Sequence, residues 1–146
     1  FYPFVAMYDD EGWNIDAYTF RGESYYNEIG DYYVGIINNE IVSGIKIDTK
    51  QDPTYLTIDW QDKTNNFMVV HRLCAKTSVW SKGVGKQMMK FAENLALENN
   101  YISMRLDTYI NNSKAIVFYK RIGYKQLGHI NLKPDKDIYY CFEKML

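Results

Sequence analysis

The sequence predicts an α/β (α+β) fold, a single domain over residues 1–146 in which strands and amphipathic helices are interleaved. Three observations predict it. Residues 67–98 read as an apolar strand, a glycine turn and a helix. Residues 101–123 repeat the strand-then-helix order, and two β-rich runs around a short polar turn precede both.

Taken in order, the chain starts at Phe1, which is not a methionine, so an N-terminal element is expected to be missing. Residues 1–30 are aromatic and acidic, punctuated by Gly12, Gly22 and Gly30, and read as loops with one or two short helices. Tyr32–Ile37 and Ile41–Ile47 flank Asn38-Asn39-Glu40, which predicts a hairpin. Asp52-Pro53 opens a turn-rich connection, and Phe67–Ala75 is rich in apolar and β-branched residues, as in a buried strand.

Trp80-Ser81-Lys82-Gly83-Val84-Gly85-Lys86 is the turn on which the reading depends. Two residues without a Cβ allow a tight turn and let a ligand approach the backbone. From Val84 the apolar residues Met88, Phe91, Ala92 and Leu95 recur at helical spacing. The helix N-terminus therefore offers unpaired N–H groups and the positive end of a dipole, with Lys82 and Lys86 adding charge, which suits a pyrophosphate. The same pattern serves an ordinary strand-to-helix connection. It is not a P-loop, which needs glycine at Trp80 and a hydroxyl residue at Gln87, nor a dinucleotide fingerprint, which needs glycine at Met88.

Asn99-Asn100 stops the first helix, and Tyr101–Thr108 alternates Ile102, Met104 and Leu106 with Ser103, Arg105 and Asp107, predicting a strand with one apolar face. Asn111-Asn112-Ser113 supplies helix N-caps, Ala115, Ile116, Tyr119 and Ile122 form a stripe, and Gly123 marks the stop. Tyr124–Ile130 and Ile138–Lys144 read as two final strands joined by a loop containing Pro134.

Composition narrows the class of partner. There is no run of eighteen apolar residues and no signal-peptide pattern, so a cytoplasmic protein without membrane attachment is expected. Cys74 and Cys141 both lie in apolar runs and read as reduced core thiols. Residues 1–66 hold twelve acids and four bases, net −8; residues 67–146 hold six acids and thirteen bases, net +7. This division suits a cationic ligand beside an anionic one, or two solvated faces, and disfavours nucleic acid because the basic half is offset by an acidic one.

Read as a set, Arg72-Leu73, then Lys82-Gly83-Val84-Gly85-Lys86, then Arg105-Leu106-Asp107-Thr108, then Asn112-x-x-Ala115-x-x-x-Tyr119-x-x-x-Gly123-Tyr124, resembles the GNAT superfamily of acetyl-CoA-dependent N-acetyltransferases. The resemblance implies a mixed central β-sheet, flanked by helices and splayed where acetyl-CoA lies. It implies that Leu73 and Ala75 offer backbone groups to the pantetheine arm. Ser81, Lys82, Gly83, Val84, Gly85 and Lys86 would cradle the pyrophosphate, Asn112 would contact the cofactor, and Tyr119 would face its sulfur. The family usually carries Gln or Arg where this chain has Trp80.

Amide formation from a thioester needs a neutral amine, and neutralising a lysine-like amine with pKa ~10.4 at pH 7 costs about 4.6 kcal/mol. His71 is the candidate base, at the same strand parity as Leu73 and Ala75, and Asp62 is the next. The resemblance implies that Tyr119, by its place in the Asn112-to-Gly123 pattern, is the proton donor to the departing thiolate, a reading preferred to plain core although Tyr119 also lies on the apolar stripe of its helix. An amine acceptor is expected to meet acids such as Asp59 and Asp62 and aromatics among Tyr2, Phe4, Trp13, Tyr25 and Tyr26, in a monomer or homodimer without a metal. A non-catalytic acyl-CoA-binding or sensing domain, or a small interaction module, are the alternative readings.

Overall fold

The structure, a computed structural model, describes residues 2–5, 32–133 and 137–146. The Pro134 loop, Gly12, Gly22, Gly30, Trp13, Tyr25 and Tyr26 lie outside the described residues, as do the side chains of Tyr2 and Phe4. The chain forms two compact units, Phe1–Asp48 with Val70–Asn94, and Thr49–Val69 with Leu95–Leu146.

The first unit contains strands β1 (Tyr2–Val5), β2 (Tyr32–Ile37) and β3 (Glu40–Asp48), and the second half of β4 (Phe67–Ala75), in that order across the sheet. β1 corrects the expectation of loops and helices at the start of the chain: Tyr2 pairs antiparallel with Ile36 and Val5 with Tyr33. Pro3 is tolerated because β1 is the edge strand. The β2–β3 hairpin turns through Asn38 and Asn39 at φ 51° and 63°, the left-handed pair that matches the twist of adjoining strands.

Helix α1 (Val84–Glu98) buries Val84, Met88, Met89, Ala92 and Ala96. The buried face is thus displaced from the expected stripe, because Phe91 and Leu95 lie at its margin and are only half-buried. Phe91 packs edge-on against Tyr33 of β2, ring centroids 4.9 Å apart.

The second unit orders the first half of β4, β5 (Ser103–Tyr109), β7 (Asp137–Met145) and β6 (Lys125–Lys133). The β4–β5 pairing is parallel and runs from Phe67↔Ser103 to Val69↔Arg105, whereas β5–β7 is antiparallel from Ser103↔Met145 to Tyr109↔Tyr139. The sheet is therefore mixed, with the parallel β4–β5 pairing at the start of β4. α1 ends in a Schellman arrangement: Asn100 is left-handed at φ 66°, its N–H donates to the Leu97 carbonyl, and Tyr101 N–H donates to the Ala96 carbonyl at 2.9 Å. Helix α2 (Ser113–Arg121) is capped by Asn112, whose side chain accepts from Ala115 N–H at 3.2 Å, and stops before Gly123 at φ 99°.

β5 departs from the one-faced strand that its alternation predicts: Ser103 and Arg105 are as buried as Met104 and Leu106. Burial of the cation is compensated on every side. Arg105 pairs with Glu143 at 3.2 Å, donates to the Asp62 carbonyl and the Gln51 side chain at 3.1 Å each, and lies over the rings of Phe67 and Trp60, 4.1 and 4.4 Å from their centroids.

Candidate active site

The glycine turn is built stepwise from the end of β4. Thr77–Val79 forms a 3-10 turn; Trp80 N–H donates to the Thr77 carbonyl and Lys82 N–H to the Val79 carbonyl. Ser81 and Gly83 then adopt φ 66° and 78°, reversing the chain into α1. Gly83 is the position that needs glycine, and a Cβ there would meet nothing within 4 Å, so the space over its backbone is open. Gly85 lies inside the first turn of the helix and is not left-handed, contrary to a turn that uses both glycines.

The first helical hydrogen bond of α1 is Gln87 N–H to the Gly83 carbonyl at 3.0 Å. The amides of Val84, Gly85 and Lys86 precede it and have no intrahelical acceptor. Ser81, Lys82 and Lys86 are exposed around them. Three amides without an intrahelical acceptor, a helix dipole and two exposed cations are the features that bind anions, so the residues present fit a pyrophosphate. Trp80 is 47 % exposed and its indole N–H donates to the Ala75 carbonyl at 3.1 Å, occupying one lone pair of a group expected to serve the pantetheine.

On β4, His71 Nε2 lies 2.9 Å from Asp48 Oδ1 of β3, and Lys46 Nζ lies 3.7 Å from the other Asp48 oxygen. Asp48 is buried, and the His71 side chain is 31 % exposed. Arg72 at φ 53° bends the strand between His71 and Leu73, so the expected common parity of His71, Leu73 and Ala75 is interrupted. Leu73, Cys74 and Ala75 are half-buried. Burial pushes the Cys74 thiol up to about 12, against the smaller effect of a backbone hydrogen bond at Gly44, so the nucleophilic thiolate is scarce at neutral pH.

In the second unit, Asn112 caps the helix that carries Tyr119. Tyr119 is buried against Phe118, Tyr124 and Phe142, with ring centroids 5.2, 5.9 and 5.9 Å away. Burial, then the negative charge of Asp107, raises its phenol above the ordinary tyrosine range and keeps it protonated. Asp107 also accepts a hydrogen bond from the Tyr55 hydroxyl, whose phenol is raised by burial and by the same carboxylate.

Asp62 corrects an expectation, because it is 2 % exposed and committed to structure. Its oxygens accept from Thr64 N–H at 2.8 Å, Thr64 hydroxyl at 2.6 Å, Asn66 N–H at 3.1 Å and Ser103 hydroxyl at 2.6 Å. Burial alone would raise its pKa, but these bonds hold it below the usual carboxylate range. A carboxylate so used is neither a free base nor a cation receptor. Asp59 is exposed and paired with Lys63.

Asp48, in contact with the candidate base His71, is the residue that the sequence pattern left unnoticed. The alternation Ile45-Lys46-Ile47-Asp48 sets Lys46 and Asp48 on one face, a visible signal, but the adjacency of β3 and β4 that lets His71 reach Asp48 is not written locally.

Residues 3–124 match the family model described as the Acetyltransferase (GNAT) family, a match that runs through both units. The chain belongs to this family of acetyltransferases. Among solved structures, a protein from Bacillus anthracis in complex with acetyl coenzyme A is 21 % identical, with TM-score 0.67, over 83 % of this chain and 68 % of its own. Ard1 from Thermoplasma volcanium is 19 % identical, with TM-score 0.65, over 88 % and 82 %. An aminoglycoside 6′-N-acetyltransferase complexed with coenzyme A is 15 % identical, with TM-score 0.61, over 85 % and 81 %. At these identities the likeness is one of fold.

Proposed function

We propose that this acetyltransferase moves an acetyl group from acetyl-CoA to a primary amine by direct attack in a ternary complex. The observation that carries the reading is the glycine turn, where the amides of Val84, Gly85 and Lys86 lie ahead of the first helical bond between two exposed lysines. The pyrophosphate is assigned to this turn and the pantetheine arm to the backbone of Leu73 and Ala75. Asn112, at the start of α2, is assigned a cofactor contact that its helix-capping oxygen leaves to its amide nitrogen.

Acetyl-CoA supplies an activated acyl carbon and a thiol leaving group of reference pKa ~8.5. His71 takes the ammonium proton of the acceptor, lowering the cost of presenting a neutral nitrogen. Tyr119 donates a hydrogen bond to the sulfur as negative charge develops there. Its raised pKa makes complete proton transfer to a thiolate uphill, so stabilisation by the bond itself is the larger part of its role. Cys74, whose thiol burial raises to about 12, is assigned no acetyl-carrying step.

The test is initial-velocity kinetics with free-thiol detection over a panel of small amines, peptide N-termini and lysine peptides. Intersecting double-reciprocal lines are expected, as direct attack requires; parallel lines would indicate a covalent acetyl-enzyme. Calorimetric binding of acetyl-CoA with no thiol release from any amine would instead fit a sensor.

A further inference from the structure

The contact between His71 and Asp48 has a chemical consequence that depends on which ring nitrogen is engaged. Only Nε2 meets the carboxylate, at 2.9 Å. An ionised carboxylate accepts and does not donate, so the nitrogen facing it carries the proton. Asp48 is buried, and the Lys46 ammonium, 3.7 Å from its second oxygen, favours the ionised form. The neutral imidazole then has its lone pair on Nδ1, and the ring remains partly exposed.

We infer that Asp48 is a positioning residue that locks His71 in the Nε2–H tautomer and so makes Nδ1 the proton-accepting atom of the acetyl transfer. The inference rests on the reading of His71 as base, and extends it by naming the atom and the group that selects it. The ammonium of the acceptor gives one proton to Nδ1, forming an imidazolium whose Nε2–H stays on Asp48. The freed nitrogen pair forms the C–N bond, the C–S bond breaks, and its electron pair leaves on sulfur. The nitrogen sheds its second proton and sulfur gains one, so one proton passes from Nδ1 to solvent per turnover.

Because the chain has only two histidines, nitrogen-15 spectra of the imidazoles separate His71 from His129 by a single His129→Gln control. In the unliganded wild-type protein at a pH where His71 is neutral, Nε2 should be protonated and Nδ1 bare. Asp48→Ala should convert this to a mixed tautomer population, and Asp48→Asn, which keeps an accepting oxygen, should fall between. In the same order kcat should drop, by about tenfold to a hundredfold in Asp48→Ala, with the KM for acetyl-CoA unchanged. Thermal unfolding identifies a variant that merely misfolds, and Asp48→Asn, nearly isosteric, then carries the test.

A wild-type spectrum with Nδ1 protonated, or a tautomer unmoved in both variants, would overturn the inference. A tautomer that shifts as expected while kcat stays level would uphold Asp48 as the orienting group and remove His71 from the role of base.

Discussion

Tyr119 tests the assignment of roles at the scale of the residue. Tyr119→Phe removes the hydroxyl and keeps the ring that packs on Phe118, Tyr124 and Phe142, so folding should be retained. Where chemistry is rate-limiting, kcat should fall by about ten- to a thousandfold with acetyl-CoA affinity nearly kept. An unchanged kcat would return Tyr119 to the hydrophobic core. Asp62 makes the opposite prediction, one of stability. Its pKa is lowered in the folded state, so its contribution is complete above the unfolded value of ~3.9 and is lost as pH falls through the folded value. Asp62→Asn should therefore destabilise the protein by about 1–3 kcal/mol at pH 7, and the gap to wild type should narrow on acidification below about pH 4. Denaturant unfolding at both pH values measures this; a gap independent of pH would mean that the carboxylate charge is not what the Asp62 hydrogen bonds recognise.

Strand and helix boundaries were legible wherever periodicity and a stop signal coincided. Phe67–Ala75 and the start of α1 at Val84 are where the apolar pattern puts them, and Asn100 ends α1 because a left-handed residue satisfies the last carbonyls. Two features were hidden because their causes are non-local. β1 is four residues long and exists by pairing with β2, which no window on the sequence contains. The polar alternation of β5 reads as a solvent face, yet Arg105 is buried because Glu143 and two aromatic rings, remote in sequence, surround it. Breaking that arrangement should be costly: Arg105→Ala leaves Glu143 buried without its cation, and unfolding free energy should drop by about 3–5 kcal/mol. A loss below about 1 kcal/mol would place the pair among exchangeable polar contacts. The candidate site was legible in the same partial way, since Gly83 and the lysines stand in one short stretch whereas the His71–Asp48 contact depends on strand register.

For the whole molecule, the charge division offers a check that involves no mutation. If the excess of bases after residue 66 serves an anionic ligand, acetyl-CoA affinity should fall as salt rises, because screening shortens the reach of Lys82 and Lys86. An affinity flat from about 0.01 M to 1 M salt, where the screening length falls from about 30 Å to about 3 Å, would make those charges a solvated surface. Calorimetric titration of acetyl-CoA into wild type and Gly85→Asp asks whether the N-terminus of α1 holds the pyrophosphate. Gly85 is in the first helical turn without a left-handed φ, where an aspartate is compatible with the backbone and favourable to the helix dipole, and thermal unfolding confirms that the variant compared is folded. In the folded variant, affinity for acetyl-CoA should fall by about tenfold or more, a difference of about 1.4 kcal/mol at the least. Equal affinity in the two folded proteins would contradict it.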